Sequence, residues 1–343
     1  MSTDETFVLS TGAALPGDPI DNTALAKRFG VNAQWVELFV GTRTRHFAVD
    51  LDTAAQTHTL TDLATAAAEQ AMVRAGVEAA DVDFVVLGTA TPDMLMPATV
   101  NLVADRLGLD QVATYQLQSG CAGAVQALDL GRRLLDGGDD TGNRTGIVIG
   151  GDVCAKHLVL DRDTTGQPPS ELINYVLFGD GAGAVVLSAE PDGARMRLDS
   201  VLNRFTGLGR DPAQVIHWWG ETGPAEGVQA VTEDYKAIEE RVPGMAVEVL
   251  HELLDARGWD KSDLSFLLPP QLSGRMTQKI VKELGVDGAA EVSVVADTGN
   301  NGNALPFLQL DALAPLLGAG QRAAAVAIES SKWLKGGFTV EGL

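Results

Sequence analysis

The chain has 343 residues and a formal net charge of −21 at pH 7, long enough for one large or two medium domains with a sizeable core. That acidity excludes a general nucleic-acid binder, whose phosphate backbone would be repelled, and argues against a broadly basic CoA-binding face. No apolar run reaches membrane-spanning length and the N-terminus MSTDET is acidic, so neither a transmembrane helix nor a secretory signal is expected, and a cytoplasmic protein is.

In chain order, FVLSTGAALPG is expected to be a strand ending in a Gly/Pro turn. NTALAKRFG and NAQWVELFVG read as two short helices, each opened by an Asn cap. Thr59 to Ala75 forms a long amphipathic helix stopped by Gly76, and DFVVLGTATPD follows as a buried strand and loop. PATVNLVADRLGL is another helix. VATYQLQ has the β-branched and aromatic character of a short strand, Gly120 and Gly123 permit a tight turn, and Ala122 to Leu135 carry apolar residues at helical spacing. TGIVIGGDV reads as a central strand. FGDGAGAVVLS is a glycine-rich turn into a strand, because apolar β-rich residues follow it where a dinucleotide-binding helix would begin.

The second half repeats this plan. AGVEAADVDFVVLG lies alongside ARGWDKSDLSFLLPP, with Gly76 matching Gly258, Asp81 matching Asp263 and Phe84 matching Phe266. ALDLGRRLL lies alongside QLDALAPLL, with Leu128 matching Leu310 and Asp129 matching Asp311. Every pair shares an offset of 182 positions, which points to a duplicated α/β unit. The expected halves are 1–190 and 191–343.

Cys121 sits at the hinge of a strand, turn and helix. The positive end of a helix lowers a thiol pKa and makes a nucleophile; the plainer reading is a small buried core thiol. Cys154, after a core strand, reads as structural. Two cysteines form neither a disulfide framework nor a metal site. By the duplication, the Cys121 corner corresponds to the loop DTGNNGNALP, so an active site at the meeting of the two helix N-termini would hold Cys121 with Asn300, Asn301 and Asn303.

GTATPD at 88–93, the Cys121 corner, VLFGDGAGAVVL at 176–187, GN at 299–300 and GGFT at 336–339 together resemble the β-ketoacyl-acyl carrier protein synthase III group of the thiolase superfamily. The resemblance runs along nearly the whole chain. It implies a thiolase-like α/β fold with a duplicated αβαβα architecture, a homodimer, and an acyl-cysteine intermediate loaded from acyl-CoA or an acyl carrier protein. No permanently bound cofactor or metal is implied. Trp35 matches the tryptophan that stacks on the CoA adenine. Met96 matches a loop position that lines the neighbouring subunit's acyl pocket, where a methionine in place of the family's aromatic implies a wider pocket.

The departures shape the expected chemistry. The family's triad is Cys, His and Asn, with the His following a proline in a Pro-His-Gln-Ala-Asn type motif. In LLPPQLSGRM, Pro270 stands where the His belongs and Ser273 where the motif's Asn belongs, while Arg275 is kept for a phosphate. Asn300 matches the third triad member. One lost donor of this kind costs about 10²–10³ in rate. Phe39 replaces an entrance arginine and Lys156 another, which weakens CoA binding and leaves a carrier-protein donor open. None of the five histidines lies on a matching catalytic motif, and His157 and His251 read as structural. Lys332 and Lys335 fall in an enlarged loop that either reaches the pocket or forms a solvated bulge.

The expected function is therefore an acyltransferase of secondary metabolism. It loads Cys121 and passes the acyl group to a hydroxyl or amine acceptor, as relatives in antibiotic pathways do. The alternatives are a decarboxylating synthase III with a substituted base and a catalytically silent partner subunit.

Overall fold

Runs of Val, Ile, Leu and Ala with little polar interruption suit strands covered on both faces, and ten such strands make one sheet. The computed structural model describes residues 5–136, 142–158, 169–217 and 231–343; the first four residues of the acidic N-terminus lie outside them. The first five strands are β1 (Thr6–Ala14), β2 (Phe84–Thr89), β3 (Ala113–Gln118), β4 (Thr145–Asp152) and β5 (Gly181–Ser188). The second five are β6 (Met196–Phe205), β7 (Phe266–Leu268), β8 (Ala290–Glu291), β9 (Arg322–Glu329) and β10 (Leu334–Gly342).

From its outer edge inward, one half of the sheet runs β3-β2-β4-β5-β1 and the other β8-β7-β9-β10-β6. The order is the same, advanced by five strands. β2 is parallel to both neighbours, as is β7, and the remaining pairs in each half are antiparallel. The halves join where β1 pairs with β6 over Thr6–Val8.

The matched residues also take matched conformations. Gly76 and Gly258 each end a helix in the left-handed region, at φ 68° and 64°, where a side chain would be strained. Asp81 and Asp263 each close a short 3₁₀ turn with a reciprocal cap, and Phe84 and Phe266 each begin a strand.

Six helices complete the layers. α1 (Leu60–Ala75) and α2 (Thr99–Arg106) cover the outer face of the first half. α4 (Tyr235–Arg257) and α5 (Gly274–Leu284) cover that of the second. Between the half-sheets lie α3 (Gly123–Asp136) and α6 (Leu305–Leu313), in a core with Phe84, Leu187 and Phe338. This is the duplicated αβαβα architecture of the thiolase fold. α6 is apolar almost all round because it is buried on both sides.

Local chemistry sets the helix starts. Thr59 and Asp62 form a capping box on α1. The Asn22–Phe29 helix is capped by Asp21, whose Oδ1 accepts from Ala24 N at 2.7 Å, instead of by Asn22. Asn22 is buried and accepts from Arg45, a long-range contact that its local spacing does not reveal. Asn32 does cap the next helix, which continues as a π-helical turn over Val36–Val40.

Candidate active site

Close backbone packing builds the nucleophile's turn. β3 ends at Gln118 and α3 begins at Gly123, one residue later than the apolar spacing indicates. A Cβ at Gly88 would stand 2.5 Å from Gly123 O, and one at Gly150 would stand 2.2 Å from Asn303 O. These glycines let both loops sit directly on the sheet. Asn303 is the residue 182 positions after Cys121. Its Oδ1 accepts from Ala124 N and its Nδ2 donates to Ser119 O, both at 2.9 Å. The pseudo-symmetry mate of the cysteine thus clasps the cysteine's own turn. Asp152, at the end of β4, accepts from Asn303 on one oxygen and from Thr89, Ala90 and Thr91 on the other. This buried carboxylate ties the GTATPD loop to the second half, and no motif in the sequence marks it.

Cys121 shares a small cavity of about 30 Å³ with Pro270 and Asn300. A larger one, about 190 Å³, extends from Cys121 to Phe39 and Ser273. Pro270 therefore lines the same cavity as the thiol, with no side-chain donor to offer. Asn300 is 4% exposed; its Nδ2 donates to Leu272 O at 3.3 Å and its Oδ1 accepts from Gly302 N at 3.1 Å. Asn301 is directed elsewhere, donating to Asp180 O and Thr298 O. Among the described residues no histidine lines either cavity. Burial, with Lys156 adding, pushes His157 down to about 4, so it is neutral and structural.

The helix end and nearby backbone N–H groups, expected to favour the thiolate, act here against larger opposing effects. Burial, followed by the charges of Glu329, Asp152 and Glu233, pushes the thiol well above its ordinary value, against a smaller favourable backbone contribution. This disfavours the thiolate, and a nearby proton acceptor would offset that cost in nucleophilic attack. Glu329, the last residue of β9, is 3% exposed. Its Oε2 accepts from Ser119 Oγ at 2.7 Å and its Oε1 from Ser331 Oγ, and a Cβ at Gly120 would stand 3.0 Å from its Cδ. A proton moved from Cys121 to Glu329 relocates one negative charge instead of adding another to a buried, acidic site.

Glu329 belongs to the enlarged ESSKWLKGGFT loop, whose lysines drew attention instead. Neither lysine reaches the cavities: Lys332 donates to Arg210 O, and Lys335 pairs with Glu248 and Glu252 at 3.0 and 2.6 Å. The signal missed was an acidic residue ending the apolar strand RAAAVAIE.

At the mouth, Trp35 and Phe39 stack with ring centroids 6.3 Å apart, and the Arg275 guanidinium lies 5.8 Å over Phe39 while donating to Leu38 O. Phe39, exposed and lining the larger cavity, makes this lip apolar. Ser273 lines the cavity and caps α5, accepting from Met276 N at 3.2 Å. Lys156 lines neither of these two cavities; its side-chain nitrogen is held by Thr91 O and Pro92 O at 2.6 and 2.8 Å, which braces the GTATPD loop. Met96 is 85% exposed and lines neither cavity of its own chain. Cys154 begins a short 3₁₀ turn after β4, and burial raises its thiol as well.

Comparison with known proteins agrees with this geometry. Residues 115–204 match the family model described as 3-Oxoacyl-[acyl-carrier-protein (ACP)] synthase III. The β-ketoacyl-[acyl-carrier-protein] synthase III of Rhodospirillum centenum is 33% identical over 97% of this chain and 96% of its own. The one from Sinorhizobium medicae is 32% identical over 96% and 95%. Among solved structures, "AbyA1 - tetronic acid condensing enzyme" is 54% identical with a TM-score of 0.94, covering 98% of this chain and all of its own. The synthase III of Pseudomonas aeruginosa PAO1 is 26% identical with a TM-score of 0.82, covering 98% of each chain. The fold thus has its counterpart in these proteins, and the chain belongs to the β-ketoacyl-acyl carrier protein synthase III family of the thiolase superfamily.

Proposed function

We propose that this chain transfers a Cys121-bound acyl group to an acceptor that needs no decarboxylation, closing a lactone of the tetronic acid type. The observation that carries the reading is Pro270 beside Cys121. Decarboxylative condensation develops a thioester enolate that two donors normally stabilise, and here only Asn300 remains. A β-ketoacyl thioester has an acidic α-carbon and yields its carbanion without losing carbon dioxide. The name of the 54% identical structure, a tetronic acid condensing enzyme, supports the same class of product.

In the loading step the Cys121 proton passes to Glu329, the sulfur attacks the donor thioester carbonyl, and the released carrier thiol takes the proton back. The acceptor's α-carbon then loses a proton and attacks the acyl-cysteine, forming the carbon–carbon bond and freeing Cys121. A 2-hydroxyl on the donated acyl group next attacks the acceptor's thioester carbonyl, expelling the second thiol and closing a five-membered ring. That closure is itself acyl transfer to a hydroxyl. Each step leaves oxidation levels unchanged. The donor thioester sits on CoA or on a carrier protein, with Trp35, Phe39 and Arg275 at the entrance; the apolar lip favours the carrier's pantetheine arm over an adenine nucleotide.

The test is to supply a 2-hydroxyacyl thioester with a β-ketoacyl thioester and follow products by mass. The expected product has the summed mass of the two substrates less two thiols, appears without carbon dioxide, and is lost in Cys121→Ser. Pro270→His is expected to raise malonyl decarboxylation more than ring formation. Rapid decarboxylation by the wild type, with no ring product and no effect of the histidine, overturns the proposal in favour of ordinary synthase III chemistry.

A further inference from the structure

The larger cavity is lined by three titratable side chains that this mechanism does not use, Glu233, Tyr235 and Glu239, and Glu233 stands out among them. Between β6 and α4, a short antiparallel hairpin of Gln214–Ile216 and Val231–Glu233 places Glu233 opposite Gln214. Gln214 Nε2 donates to Glu233 Oε1. The other carboxyl oxygen, Oε2, is buried and has no aligned donor. Tyr235 lies close enough to act on the carboxyl, but its hydroxyl is aligned with Asn174 Oδ1 at 3.4 Å.

Glu233, Gln214 and Tyr235 line the same cavity as Cys121, and the charge of Glu233 acts on the Cys121 thiol. Much of the remaining wall is apolar, including Leu177, Ile238 and Ile328. Burial holds the Glu233 pKa above the ordinary glutamate range, with Tyr235 and Gln214 pulling the other way. A buried carboxyl oxygen with no aligned donor is costly, and its place on the wall of the Cys121 cavity is where a bound molecule could supply one.

We infer that Glu233, held by Gln214, is the specificity group for the loaded acyl chain and accepts a hydrogen bond from a hydroxyl borne by that chain. The inference rests on the proposed reaction only in taking the donor to be a short hydroxyacyl thioester. A carboxyl that reads a hydroxyl rejects the analogue lacking it, because its oxygen is then left unpaired. The carrier arm's amide N–H is a second source of a donor, and a probe that keeps the amide constant separates the two.

The experiment measures the rate of Cys121 acylation by intact mass, using the N-acetylcysteamine thioesters of 2-hydroxypropionate and propionate. Both carry the same amide and differ by one hydroxyl. The wild type is expected to prefer the hydroxylated donor about 10- to 100-fold, the range for a hydrogen bond to a charged group. Glu233→Leu is expected to bring that ratio to about one, and Glu233→Gln, which keeps an acceptor oxygen and the shape, to retain part of it. Reading a ratio cancels any general loss from misfolding. A wild type with no preference, or a leucine variant that keeps the ratio, overturns the inference. Loading precedes carbon–carbon bond formation, so a chain that prefers the hydroxylated donor but makes no ring product sinks the proposed reaction and leaves this assignment standing.

Discussion

At the scale of single residues, the site is a thiol among carboxyls. Cys121 is half-buried, and desolvation, followed by the charges of Glu329, Asp152 and Glu233, opposes its ionisation. With Glu329 as proton acceptor, the thiolate paired with a protonated Glu329 has the same net charge as the resting thiol and carboxylate. Its population therefore does not change with pH over the range where one proton is shared. Between about pH 6.5 and 8.5, wild-type acylation of Cys121 is expected to rise less steeply with pH than acylation of a variant without the acceptor. Glu329→Gln is expected to slow it by about 10²–10⁴ near neutrality. The residual rate of that variant should climb about tenfold per pH unit, because solution hydroxide must then make the thiolate. Rapid-quench mass spectrometry across that range decides it; a Gln variant with an unchanged profile removes Glu329 from catalysis.

At the scale of elements, two bare stretches of sheet position the chemistry. Gly88 on β2 lies beneath the Cys121 turn and Gly150 on β4 beneath the Asn303 loop. Gly150→Ala places a methyl 2.2 Å from Asn303 O and also presses on Ala124 Cβ. Overpacking of this kind costs about 1–3 kcal/mol. It also displaces the Asn303 contacts to Ala124 N and Ser119 O that hold the nucleophile's turn. Gly150→Ala is therefore expected to lower the urea midpoint and to slow Cys121 acylation even at temperatures where the variant is fully folded. Normal acylation by folded protein would mean that the clasp does not position the thiol.

At the scale of the whole molecule, the sheet ends on an unpaired edge. β3 is its outermost strand, and Tyr115 on it is 38% exposed, with Leu95 and Met96 at 76% and 85% on the GTATPD loop. An open edge beside exposed apolar residues invites pairing. The chain is expected to elute as a dimer, twice 36.0 kDa, in gel filtration at micromolar concentration. Met96→Phe is expected to shift the acyl preference toward shorter donors, since Met96 would then wall the partner's pocket. A fully active monomer, or a preference unmoved by the substitution, counts against this assembly.

Much of the fold was legible in the sequence because it rests on local patterns. Period, caps and glycine stops mark the elements, and the 182-residue register of Gly76 with Gly258 and Phe84 with Phe266 marks the repeat. Cys121, Pro270 and Asn300 were legible for a related reason: each occupies a fixed place in a motif, and all three line one cavity. The contacts of Lys156 were not legible because a spacing does not say which way a side chain turns; its side-chain nitrogen meets the carbonyls of Thr91 and Pro92. Glu329 and Glu233 were invisible because neither lies in a motif with Cys121, from which they are more than one hundred residues away. The sequence alone determined the elements, the repeat and the nucleophile, which depend on neighbours along the chain. The ionisation state of the thiol and the carboxyls that surround it depend on burial and on charges brought together across the two halves, and only the tertiary structure decided those.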